Sequence, residues 1–137
     1  MSERAQRSGS GMRPATVSAD GLPRPLTIDE RALIEALLGG LRSGVGRYID
    51  QLEEIVVVGR CRCGCPSINF ATAGSAPEGR PVPLVLADAE SPEGIQVGVI
   101  LWVRNGRLSG LEVHPWEASG SIRLPNSETL HNLRTDD

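Results

Sequence analysis

Lysine is missing altogether: the fourteen basic residues of this 137-residue chain are all arginines, set against seventeen acidic residues for a net charge of -3. The two signs are interspersed and form no basic stripe, which excludes the electrostatic footprint of a nucleic-acid binder. Rings are almost as scarce. Tyr48, Phe70, Trp102 and Trp116 are the whole aromatic complement. A core must therefore be built from Val, Ile, Leu and Ala, with each ring filling a large share of it. No run approaches the roughly eighteen apolar residues that a membrane span needs. The early arginines are not followed by an apolar segment, so no secretory signal is expected and a cytoplasmic location is. Three cysteines in that setting are expected to stay reduced, and an odd count argues against a complete disulfide framework. A P-loop, a GxGxxG turn, a GxSxG elbow and an HExxH helix are all lacking, which leans away from an enzyme of those classes.

What is present reads as one domain. Residues 1–25 are rich in Ser, Gly, Arg and Pro and read as a disordered N-terminal tail, because they bury too little apolar area to offset the entropy of ordering. Residues 26–135 read as a single α+β domain. Thr27 followed by Glu30 is a capping-box spacing, and Leu33, Ile34, Leu37, Leu38 and Leu41 continue it as a helical stripe that Gly39-Gly40 ends. Ser43 is placed to cap a second, weaker helix through Val45, Tyr48, Ile49 and Leu52. The texture then changes to strands: 55–58, 67–72, 82–89 (at an edge, since it carries Pro83), 95–103 and 107–114. A short final helix is expected over 126–133. The fold so read is two N-terminal helices packed on a mostly antiparallel sheet of about five strands.

Asn105-Gly106 is a strong hairpin signal, because both central positions of a two-residue type I′ turn require positive φ. Such a turn sets Arg104 opposite Arg107, Trp102 opposite Ser109 and Ile100 opposite Leu111. One face would then hold Ile100, Trp102, Leu111 and Val113. The other would hold Val97, Val99, Leu101, Val103 and Leu108 together with Glu112 and His114. Strand 95–103 is apolar on both faces, so it is expected to be central and covered twice, by the helices on one side and by loops, the C-terminal segment or a second chain on the other.

Chemistry concentrates in Cys61-Arg62-Cys63-Gly64-Cys65-Pro66, a Gly- and Pro-punctuated stretch that reads as a hairpin tip. Thiolates are soft ligands suited to zinc or Cu(I), and Cys61 with Cys65 has a common zinc spacing. Here no second cysteine pair exists, so a metal site would use Cys61, Cys63 and Cys65 with a fourth ligand borrowed, His114 being the candidate. Two other readings stay open: the cysteines are small buried apolar residues, or they are reactive thiols whose pKa is lowered by Arg60 and Arg62. Glu112 and His114 lie one alternation apart on a single strand face, where a Glu-His pair beside a thiol would make a general-base arrangement. His131 lies in a polar stretch and carries no such reading.

Two stretches, GRCRCGCPSINF and VGVILWVRNGRLSGLEVHPW, together resemble a group of small bacterial proteins of unknown function. That group pairs a CxCGCP hairpin with a later GxLSxLEVxxW strand motif. The resemblance spans about residues 50–117 and implies an α+β domain, with no activity, cofactor or catalytic residue attached to it. The function expected first is therefore a non-enzymatic binding or accessory domain that recognises another protein or itself. A zinc-thiolate domain and a small thiol enzyme or redox sensor are the alternatives. No cofactor other than that zinc, no nucleic acid and no membrane are expected as partners.

Overall fold

The computed structural model describes residues 21–62, 65–72, 78–117 and 121–135. Two helices, α1 (Ile28–Leu38) and α2 (Val45–Gln51), precede six strands: β1 (Ile55–Arg60), β2 (Ile68–Thr72), β3 (Val82–Glu90), β4 (Gln96–Arg104), β5 (Arg107–Pro115) and β6 (His131–Thr135). All pairings are antiparallel, in the order β1-β2-β5-β4-β3-β6. This is the α+β arrangement of two N-terminal helices on an antiparallel sheet, with six strands rather than about five. No described helix is long and apolar enough to cross a membrane.

Helix α1 begins as its sequence dictates. Thr27 Oγ1 accepts from the Glu30 amide at 3.0 Å, while a Glu30 carboxylate oxygen accepts from the Thr27 amide at 2.9 Å. The capping box satisfies two amides that the helix itself leaves unpaired. Leu33, Ile34, Leu37 and Leu38 are fully buried. Helix α2 starts differently from expectation: its N-cap is Gly44 at φ 78, without a side-chain cap, and Ser43 does not serve. Residues ascribed to the tail also join the domain. Leu22 is buried, and Arg24 bridges Val57 through two backbone hydrogen bonds of 2.7 and 3.1 Å. Arg24 further grips the Glu30 carboxylate in a fork of 2.8 and 2.9 Å.

The Asn105-Gly106 turn has φ 48 and 79, as a type I′ turn requires. Gln51, the last residue of α2, clamps it: its Nε2 donates to Gly106 O and its Oε1 accepts from Leu108 N, both at 2.8 Å. Arg104 faces Arg107 as expected, but the register then slips. Val103 pairs with Leu108 and Trp102 with Gly110, so Ser109 is an extra residue, a β-bulge. The slip corrects the face assignment, because one inserted residue turns every later side chain to the opposite side. Leu111 and Val113 join Val97, Val99, Leu101 and Val103 in the core beneath the helices, while Glu112 and His114 share the other face with Ile100 and Trp102.

Three further expectations are corrected. Strand β4 is central, yet of its large side chains only those on the helix side are fully buried; Ile100 and Trp102 are half-buried on a face that no described helix covers. Strand β3 is not an edge, because β6 pairs with it over residues 85–88; Pro83 lies beyond that pairing, next to the register shift between Pro83 and Val85 in the β3–β4 ladder, where a missing N–H is tolerated. The final helix is a single 3-10 turn, Ser127–Thr129, followed by the exposed strand β6.

Candidate functional site

The sheet face away from the helices holds a groove of about 530 Å³. Its lining comes from the β1–β2 hairpin, through Cys61, Cys65 and Asn69, and from the β4–β5 hairpin, through Trp102, Arg104, Glu112 and His114. Only the bulged register places this second set together. In a regular hairpin Glu112 would point into the aliphatic core, where an unpaired carboxylate is prohibitively costly.

Two glycines keep the floor low. A Cβ on Gly98 would stand 2.7 Å from His114 Nε2, so the imidazole lies directly on that backbone. A Cβ on Gly110 would stand 3.3 Å from Asn69 Oδ1. Above this floor Trp102 Nε1 donates to Glu112 Oε1 at 3.0 Å, and Glu112 Oε2 lies 3.4 Å from His114 Nδ1. The indole, the carboxylate and the imidazole therefore form one chain along the face, with both carboxylate oxygens engaged.

The cysteine hairpin meets β5 through Ser67. Cys61 N donates to Ser67 O at 3.2 Å, extending the β1–β2 ladder by one rung. Cys65 Sγ donates to Ser67 Oγ at 3.4 Å. Cys61 is disulfide-bonded, which corrects the expectation that all three cysteines stay reduced. A sulfur in a disulfide has no thiolate to offer a metal. Cys63 lies outside the described residues. Of the four residues read as zinc ligands, Cys61, Cys65 and His114 line the same groove. Among the described residues, however, no three His, Cys, Asp or Glu side chains gather as a metal-holding group.

Arg104 is the groove residue that sequence reasoning passed over. It is half-exposed, and its Nε is enclosed without a hydrogen-bond partner. Six other arginines meet acceptors, Arg24, Arg31, Arg123 and Arg134 on carboxylates and Arg47 and Arg107 on hydroxyls, while Arg42, Arg60, Arg62 and Arg80 are exposed to water. The acidic group nearest in kind, Glu112, is occupied by Trp102 and His114. Asn69 and Trp102 were likewise unmarked, since their membership depends on strand parity after the bulge.

No family model matches the chain, and neither a curated protein nor a solved structure matches it.

Proposed function

We propose that the chain is a non-enzymatic binding domain that recognises a partner protein through the groove on its helix-free sheet face. The observation that carries this reading is the segregation of the two faces. The fully buried Val97, Val99 and Leu101 of β4 lie on the core side, while Trp102, Arg104, Glu112 and His114 are collected around one concavity on the other side. Concave surfaces that join an aromatic side chain to a few polar groups are where ligands gain both area and orientation. The resemblance to the CxCGCP and GxLSxLEVxxW proteins belongs to the same proposal, because the two stretches that carry it are the two hairpins lining the groove. Selection of displayed random peptides against the folded domain tests it. Enriched peptides whose binding is lost on Trp102→Ala and kept on Arg42→Gln support the reading. Binding indifferent to Trp102, or no enrichment, overturns it.

A second reading, a thiol redox site, is favoured by the disulfide at Cys61 in the groove wall with Cys65 alongside. Reduction by an external dithiol would add two electrons and two protons, leave two thiols on this chain and convert the reductant to its disulfide. Thiol titration of denatured protein before and after reduction decides it: a gain of two thiols supports the couple, and no gain removes it. Zinc binding is the third reading, and metal analysis of reduced protein carrying Cys65→Ser against wild type addresses it.

A further inference from the structure

We infer that Arg104 is a carboxylate subsite within the groove, holding an acidic side chain of an extended partner segment whose apolar side chains lie against Trp102. The inference rests on the groove being the binding surface, and it adds the chemistry of what is bound.

Three observations converge on it. The Arg104 guanidinium has no acceptor among the described residues, and its enclosed Nε forfeits the hydrogen bond it had in water. An incoming carboxylate does not reach that enclosed atom, but it can engage the terminal nitrogens of the same guanidinium as a charge-assisted pair. The second is position. Val103 points into the core and Trp102 to the open face, so Arg104, directly opposite Arg107, lies at the turn end of the groove face, two residues beyond the indole. Residues two apart on a strand share a face at roughly 6.6 Å, which is also the spacing of alternate side chains in an extended peptide. A segment running along the face therefore sets an acidic residue at Arg104 when an apolar residue of the same parity lies over Trp102.

The third observation concerns which anion fits. Glu112 carries its charge on the same face, roughly four residues along β4 from Arg104 by pairing with Ile100. Arg60 also lines the groove, from β1, and a standing carboxylate on the Arg104 side suits a monoanion there better than a phosphate dianion. The groove volume also exceeds what one small anion fills, while a side chain on Trp102 uses it. Charge complementarity thus selects an acidic-apolar peptide segment.

The test uses 15N spectra of the full chain carrying Trp116→Phe, so that Trp102 gives the only indole signal. The Arg104 Nε–H and Trp102 Nε1–H signals are followed during titration with acetyl-Glu-Ala-Leu-Ala-Glu-amide, with its Gln-for-Glu counterpart, and with sodium phosphate. The acidic peptide is expected to move both signals saturably. Binding should weaken about tenfold or more for the Gln peptide and for Arg104→Gln, and remain unchanged for Arg42→Gln, which lies away from the groove. Retention of the dispersed amide spectrum in Arg104→Gln shows that loss of binding is not loss of fold. Equal binding of the Glu and Gln peptides overturns the carboxylate subsite and leaves the groove standing. Phosphate moving Arg104 while neither peptide does overturns the peptide assignment in favour of a small-anion site. No response from either signal to any probe removes the subsite and the groove reading together.

Discussion

Ser67 and Val113 hold each other through one hydroxyl: Ser67 Oγ accepts from the Val113 amide at 2.8 Å and donates to the Val113 carbonyl at 3.1 Å. The side chain thus occupies the place of a missing strand residue just where the β2–β5 ladder, paired at Ile68–Leu111 and Asn69–Gly110, runs out. It satisfies two backbone groups that would otherwise face a half-buried gap, and through Cys65 it ties the cysteine hairpin to the strand carrying Glu112 and His114.

Ser67→Ala removes both bonds and cannot recruit a replacement acceptor of the same reach. We expect a loss of about 1–3 kcal/mol in urea unfolding, with faster hydrogen exchange confined first to the Val113 amide and the hairpin tip. Ser67→Thr keeps the hydroxyl and should retain most of the stability. Unchanged exchange at Val113 in the alanine variant would show that the hydroxyl is not what holds the two hairpins together.

The bulge at Ser109 makes a sharper prediction. Deleting Ser109 lets β5 pair regularly, with Gly110 still opposite Trp102 and Leu111 still opposite Leu101, so that every later side chain keeps its face. The deletion should therefore keep the folded state, seen as retained amide dispersion with shifts concentrated around the former bulge. Ser109→Gly keeps the residue count and should cost no more than about 1 kcal/mol. A deletion variant that fails to fold would mean that the bulge itself, and not only the facing of Leu111 and Val113, is required.

How much of this was legible beforehand follows from which physical signals are local. The α1 capping box, the leucine stripe and the Asn105-Gly106 turn are each set by neighbours within a few residues, and each stands where it was expected. The bulge is different in kind. RLSGLEVHP alternates convincingly in either register, and only burial of Leu111 and Val113 beside Val99 and Leu101 decides between them. Strand β6 was missed because HNLRT is exposed and polar; backbone pairing to β3, with an Asn132 Nδ2–Asp88 Oδ2 bond of 2.9 Å, holds it there. The site divides the same way. Cys61, Cys65 and His114 were visible as unusual residue types, while Trp102, Arg104 and Asn69 became visible only once the faces were known.

Glu30 supplies a pH dependence whose sign is determined. Burial raises its pKa, but the bidentate Arg24 guanidinium and the Thr27 amide outweigh that and hold it below the ordinary carboxylate value. A folded-state pKa below the unfolded one means that the stabilisation is fully present above the unfolded value near pH 4.3 and is lost as pH falls through the lowered folded value. Glu30→Gln keeps a capping-box side chain and removes only the charge. It should cost about 1 kcal/mol at pH 7 and nothing at the lowest pH, so that its melting curves converge with wild type on acidification. Parallel curves from pH 7 to 3 would show that the Arg24 pair contributes nothing. Glu93, held at about 2 by the Arg123 guanidinium at 2.8 Å, is a surface group and is expected to titrate low without a matching effect on stability.

Gly98 and His114 test whether the groove floor is built by subtraction. The added methyl of Gly98→Ala meets the far end of a half-exposed ring, not backbone, so the ring can swing away at little cost, and alanine leaves the unfolded chain less entropy to lose than glycine does. Stability should therefore change by less than about 1 kcal/mol, while His114 ring signals shift and lose their dependence on Glu112. Trp102 Nε1–H should keep its bond to Glu112 Oε1, which does not pass through the histidine. Adding His114→Ala removes the clash, so the double variant should be more stable than the sum of the two single changes. Strict additivity would place the imidazole off Gly98, and with it the wall of the groove nearest Glu112.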